Sequence, residues 1–265
     1  MNFETLEPVT NDFLLNVALG RYGGKIVEFK KFSKAISLKT TLSDIWTLPF
    51  IMTYATEGET LYISSTSTED TAVEVSVMGL DENGYYKEQP ITINGTTPVQ
   101  LSGLWLRTFR IKNVNGTINV GEIYISTSSN VGIPADSTVR CHGIAGTPSI
   151  GTEPPIGGST FMSHFTVPKG YVALIIDYTT IQPGSADIDF VAYARGKDKV
   201  FIPLDQTGGT LTRPFYKDLF DELTDFKIMA KASSTLNRDV AISYKMLLVD
   251  RTLYNSDGTK IKGAI

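Results

Sequence analysis

The chain has 265 residues, 42% of them apolar and 20% charged, with a net charge of −4; this fits a soluble protein of one large or two small domains. The mildly acidic balance provides no field to hold nucleic acid, the single cysteine, Cys141, excludes an internal disulfide framework, and no apolar run approaches the roughly 18 residues of a membrane helix. The opening MNFETLEPVTND lacks the basic-then-apolar layout of a leader peptide, so the expectation is synthesis in a cytoplasm without standard export.

Residues 1–40 are predicted to form an arm. Phe13, Leu14, Val17 and Ala18 suit one or two helical turns, glycines at 20, 23 and 24 break the chain, and a basic cluster follows at Lys25, Lys30, Lys31, Lys34 and Lys39. Ile26, Phe29 and Phe32 recur without a clean period. Two readings stand: an arm that packs on another molecule, or an extension lying on its own domain. In the first reading Phe13, Arg21, Lys25, Phe29, Lys30, Lys31 and Phe32 form the gripping surface.

From 41 to 140 the apolar period is two. Leu61 and Ile63, Val73, Val75 and Val77, Ile91 and Ile93, Leu104 and Leu106, Ile118 and Val120, and Ile123 and Ile125 alternate between polar neighbours. Short alternating runs bounded by Gly, Asn, Asp and Ser are antiparallel strands with one buried face. Asn83-Gly84, Asn94-Gly95 and Asn115-Gly116 lie between them and supply the positive φ that tight hairpins need. The spacing predicts a β-sandwich.

Residues 141–160, CHGIAGTPSIGTEPPIGGST, are dense in Gly and Pro and read as a linker. Alternation then returns over 161–265: Phe165 and Val167; Val172, Leu174 and Ile176; Ile188 and Phe190; Val200 and Ile202; Phe226 and Ile228; and Val240, Ile242, Tyr244, Met246 and Leu248. A second sandwich of jelly-roll type is the expectation. The fold class is therefore all-β, with two tandem antiparallel sandwiches preceded by an arm.

Residues for chemistry are sparse. The two histidines, His142 and His164, and Cys141 do not have the spacing of a zinc site. No Gly-x-Ser-x-Gly elbow or phosphate-cradling glycine loop is present. Asp187 and Asp189 share a strand face, and Asp218, Asp221, Glu222 and Asp225 crowd a loop or short helix; either set has the oxygen ligands that calcium takes, but solvated surface acids explain them more simply. No catalytic residue, metal or cofactor is expected. Core packing is the expectation for Trp105 and Phe109, whereas Tyr85 and Tyr86 beside a hairpin turn, and Phe215 and Tyr216 in a loop, suit an exposed aromatic interface.

The segments VALGRYGGKIVEFKKF (17–32), SDIW (43–46), GLDENGYYKEQPITINGTTPV (79–99), LRTFRIKNV (106–114), NVGEIYI (119–125), FTVPKGYVALI (165–175) and LLVD (247–250) resemble, in order and spacing, a family of virion structural proteins of tailed bacteriophages, of the cyanophage and marine podovirus type. The chain departs from that pattern after Lys31-Phe32, where family members carry a glycine and a polar turn and this chain has Ser33-Lys34-Ala35. The resemblance implies a particle component, assembled in the host cytoplasm, without catalysis. A capsid decoration protein is the leading expectation, with the major capsid protein and further copies of itself, as a homotrimer, for partners, and neither nucleic acid nor membrane. The alternative is a tail or head fibre knob, or a head–tail adaptor component, whose exposed aromatics bind host-surface glycans.

Overall fold

The computed structural model describes residues 16–17, 20–38, 40–146, 159–195, 200–214, 219–232 and 238–253. Within these described residues, fifteen strands, all antiparallel in their pairings, form three sheets.

The first two sheets come from the middle of the chain. β3 (Tyr62–Ser65), β6 (Val99–Gln100), β8 (Ile123–Ser126) and β9 (Val139–Gly143) form a four-stranded sheet in the order β6-β3-β8-β9. β4 (Glu74–Asp81), β5 (Tyr86–Thr92) and β7 (Trp105–Asn113) form a three-stranded one, β5-β4-β7. Their alternating apolar residues meet in one core: Leu61, Ile63, Ile123, Ile125, Val139 and Cys141 on one side, Val73, Val75, Val77, Trp105 and Ile111 on the other. Gly84, Gly95 and Gly116 take positive φ (85°, 56° and 73°), whereas the preceding asparagines do not. At the β4–β5 tip, Gly84 N donates to Asp81 O and Asp81 N to Tyr85 O. This is a three-residue loop with a glycine bulge, not the two-residue turn that Asn-Gly suggests.

The third sheet gathers both ends of the chain. β1 (Ile26–Leu38) pairs along its length with β15 (Arg238–Asp250), and β15 pairs with the 25-residue β11 (Tyr171–Arg195). β11 then changes neighbour: its second half pairs with β14 (Asp225–Ala232), and its other edge pairs with β12 (Val200–Pro214) and β13 (Leu219–Phe220). β10 (Phe165–Thr166) and β2 (Ser43–Asp44) complete the eight strands by pairing with β14. Where the sequence predicts a separate second sandwich, the strands after residue 160 thus join one sheet together with two strands from before residue 45.

That sheet buries Ile188, Phe190, Phe226, Ile228, Val240, Ile242, Tyr244 and Met246 on one face, and Leu80 and Phe109 from β4 and β7 enter the same core. Two bulges in β7 make this sharing possible. The pairing with β4 slips between Met78 and Gly79 and again between Leu80 and Asp81, so Phe109 and Leu106 are extra residues on β7. Each bulge reverses which face the next side chain takes. Trp105 and Ile111 therefore point into the first core, and Phe109 and Leu106 into the second. Gly79 is required here, because a Cβ on it would collide with the Arg107 carbonyl. On the opposite face, near one end, Val17 and Tyr22 cover Ile26, Val172, Ile176, Leu247 and Val249.

The predicted arm is corrected over residues 26–38, which form a full strand of the large sheet. Its period was obscured because two inward positions are polar. Lys31 Nζ donates to the Phe109 carbonyl and Ser33 Oγ to the Ile45 carbonyl, so both are satisfied while buried. Cys141 and His142, expected in the linker, are buried residues of β9.

Candidate functional site

Strand alternation divides the predicted gripping surface. Phe29 turns inward, its ring centroid 4.6 Å from that of Phe165 and 5.8 Å from that of Phe109. Lys31 is inward as well, and burial beside Arg110 lowers its pKa to about 7. Lys25, Lys30 and Phe32 stay exposed, with Lys30 paired to Glu28 at 2.9 Å and Phe32 against the Phe161 ring at 5.2 Å. Arg21 is half-buried. Phe13, Phe215 and Tyr216 lie outside the described residues.

Tyr85 and Tyr86 are exposed, at 50% and 45%. Lys169 Nζ sits 5.1 Å from the Tyr85 ring centroid, a cation–π distance. Tyr86 donates its hydroxyl to Glu88, and burial together with that carboxylate pushes its pKa up to about 12. Of the acidic residues at 218–225, Asp218 lies outside the described residues and the other three are taken up as counter-ions. Arg251 reaches Asp221 and Glu222, and Asp225 is buried against Arg107, whose Nε and Nη2 donate to its two oxygens at 2.9 and 3.0 Å. Asp189 pairs with Lys231 at 3.2 Å.

The most exposed apolar point among the described residues has no signature in the sequence. The β8–β9 loop carries Val131 at 68% and Ile133 at 73% exposure, either side of Gly132, whose φ is 110°. Pro134 is buried behind them. Only a glycine accommodates that backbone readily, and it separates two branched side chains at the tip of a loop whose other residues, Pro134 and Ala135 apart, are Ser, Thr, Asn and Asp. A single apolar pair in a loop has no period, so no pattern search reveals it.

A buried polar cluster joins the sandwich to the large sheet. Asp44 Oδ1 accepts from Lys227 Nζ, and its Oδ2 accepts the Met52 N–H at 2.8 Å and lies 3.2 Å from His164 Nε2. Burial pushes the Asp44 carboxyl upward, but the His164 hydrogen bond and the Lys227 charge outweigh it and hold its pKa at about 2. His164 is lowered by burial, with Asp44 opposing. Arg107 stacks on Tyr54, 5.0 Å to the ring centroid, and donates to the Ala55 carbonyl. The adjoining cavity, lined by Tyr54, Arg107, Trp105, Glu59 and Arg140, has about 10 Å³ of free space, room for roughly one water and too little for an organic substrate. No group of three or more His, Cys, Asp or Glu converges on a point among the described residues. Burial pushes the Cys141 thiol up to about 11, partly offset by Thr160, which removes thiolate reactivity at neutral pH.

No family model matches the chain, and no curated protein matches it. Among solved structures, similarity is found to infectious bursal disease virus. The Gt strain structure is 10% identical over 87% of this chain and 74% of that one, with a TM-score of 0.23. The Gx strain structure gives 11% identity, 95% and 79% coverage and a TM-score of 0.24. The VP2 subviral particle gives 12%, 91% and 78%, with a TM-score of 0.21. Superpositions at this level do not define a shared fold.

Proposed function

We propose that the chain is a non-enzymatic virion structural protein of a tailed phage, acting as a decoration protein that binds the head shell and bridges neighbouring major capsid subunits. The sequence resemblance running from residue 17 to 250 supports the particle role. The β8–β9 loop supports adhesion: Val131 and Ile133 project at 68% and 73% exposure from a polar loop, the form of an apolar contact that gains area on entering a seam between subunits. The exposed Lys25 and Lys30, with Phe32, form a second contact, drawn electrostatically to an acidic shell. Association of three copies gives avidity, so each contact can be individually weak. In this reading the gripping elements are fixed parts of the fold. Removing residues 1–40 would strip β1 from the sheet, so deletion cannot serve as the test.

The test is particle binding. Purified protein is mixed with undecorated heads and sedimented, and the bound copies per head are counted. Hundreds of copies at saturation support decoration; a dozen or none would move the protein to the tail or head–tail junction and redirect attention to glycan binding by Tyr85. Replacing Val131 and Ile133 together by Asp should abolish binding with the melting temperature unchanged, and full occupancy by that variant would overturn the role of the loop.

A further inference from the structure

Both histidines of the chain are buried, and both hold the same loop. His142 Nδ1 shares a hydrogen bond with Thr47 Oγ1 at 2.5 Å. His164 packs against the rings of Trp46 and Tyr54, at 5.9 and 5.8 Å between centroids, and contacts Asp44 at the loop's entry. The loop between these points, residues 45–55, reads IWTLPFIMTYA and is apolar for most of its length. It has no strand ladder of its own beyond the single Trp46–Met162 bridge. At its start Ile45 is fixed by hydrogen bonds from Ser163 N and Ser33 Oγ to its carbonyl and from its N–H to the Ile228 carbonyl; further along, Trp46 Nε1 donates to the Phe50 carbonyl at 2.7 Å, Met52 N to Asp44 at 2.8 Å, and Arg107 to the Ala55 carbonyl at 2.7 Å.

We infer that the two histidines act as an acid-sensitive latch, whose protonation releases the 45–55 loop and exposes Trp46, Phe50 and Met52 while the sheets remain folded. The inference is independent of the decoration reading. His164 faces Asp44 from β2, Lys227 from β14, Lys31 from β1 and Tyr54 of the loop itself. A positive charge on His164 would be the third in the cluster, repelled by those of Lys227 and Lys31. His142 faces Glu122, 3.5 Å from its Nε2, and the Tyr124 ring at 4.7 Å. Glu122 is half committed, since it also accepts the Tyr124 hydroxyl at 2.8 Å. Burial lowers both imidazoles below their ordinary value of 6.5. The released loop therefore binds protons that the docked loop does not, and release is favoured as pH falls below 6.5. Lys31, lowered to about 7, is mostly charged in both forms below pH 6.5 and adds little slope there. Asp44, held near 2, is ionised in both forms until well below pH 5. Each histidine contributes up to about a tenfold change in the opening equilibrium per pH unit, and the pair up to about a hundredfold.

The test is hydrogen exchange by mass spectrometry on the full chain from pH 7.5 to 5, with rates corrected for the intrinsic pH dependence of exchange. Protection over 45–55 should collapse below pH 6.5, while peptides from β4 and β15 keep theirs. His142→Gln should reduce the steepness from about a hundredfold towards tenfold per unit, and His164→Gln should do the same. Loop protection that follows β4 and β15 at every pH would overturn the inference, as would an unchanged steepness in His142→Gln. Should a variant fail to fold, the wild-type profile decides alone.

Discussion

The side chain of Leu223 occupies the space that a Cβ on Gly84 would need: such an atom would lie 2.5 Å from Leu223 Cδ2. Leu223 is also the one non-glycine residue with a positive φ, 62°, among those described. That conformation costs a bulky L-residue on the order of 1–2 kcal/mol. It is held by hydrogen bonds from Leu223 N to Val167 O and from Thr224 N to Asp221 O. Lys169 N donates to the Gly84 carbonyl at 2.8 Å, so the β4–β5 tip is clasped by two turns of the large sheet.

Gly84→Ala should therefore lower stability by about 2 kcal/mol, partly from its own positive φ and partly from displacing Leu223. The Gly84→Ala/Leu223→Ala pair should cost less than the sum of its parts, by about 0.5–1 kcal/mol, because the second change removes the obstruction met by the first. Denaturant unfolding of the four proteins gives the coupling directly. Strict additivity would mean that the clasp carries no energy.

Gly79 makes a sharper case, because the obstruction is the Arg107 carbonyl, a backbone atom. A flexible side chain can move aside; a strand held by β4 on one side cannot do so without losing its bulge. Gly79→Ala is expected to cost on the order of 3 kcal/mol or more, through loss of the register that aims Phe109 and Leu106 at the second core. Thermal unfolding measures this, and a shift in Tm of less than a degree or two would contradict the account of the two bulges.

Lys31 sets a pH dependence of the same sense as the usual acid limb but displaced to alkaline pH, opposite to that of a lysine whose pKa is raised by an ion pair. Burial lowers its pKa from 10.5 to about 7, so between those values the unfolded chain holds a proton that the folded chain does not. Stability should rise with pH across that window, by up to about 1 kcal/mol per unit, and be flat with respect to this group on either side. Lys31→Met should abolish that slope. At pH 7 it should raise stability by about 1–3 kcal/mol, less the cost of leaving the Phe109 carbonyl without its donor. Urea titrations at pH 7, 8 and 9 on both proteins distinguish the slopes.

Most strands were legible from a period of two, since Val73, Val75 and Val77, or Val240, Ile242, Tyr244 and Met246, put one apolar face on one core. Sheet membership was not. Nothing in the composition of residues 26–38 says that their partner is 238–250, and an inward lysine and serine interrupt the apolar alternation that marks the other strands. The shared core was hidden for a related reason. A bulge shifts the phase of a strand by one residue, so Trp105 and Phe109, four residues apart and therefore on one face of an unbroken strand, end in different cores. At the surface, Tyr85 was visible because aromatics beside turns are few, whereas the Val131–Ile133 tip and the histidine-held loop depend on three-dimensional neighbours with no trace in local spacing.

The union of β1 with β15 has a consequence for how the molecule is made. The paired positions lie 200 to 223 residues apart in the chain, from Leu38 opposite Arg238 to Ile26 opposite Val249. On a ribosome, the β3–β9 sandwich can close while the distal half is still being synthesised, but β1 must wait with its hydrogen-bonding edge bare until residues 238–250 emerge. So large a sequence separation predicts slow, late closure, and a nascent chain whose vulnerable stretch is its first strand. Charges at Glu28, Lys30, Lys31 and Lys34 then serve a second purpose, keeping that waiting strand from pairing with a neighbouring nascent chain.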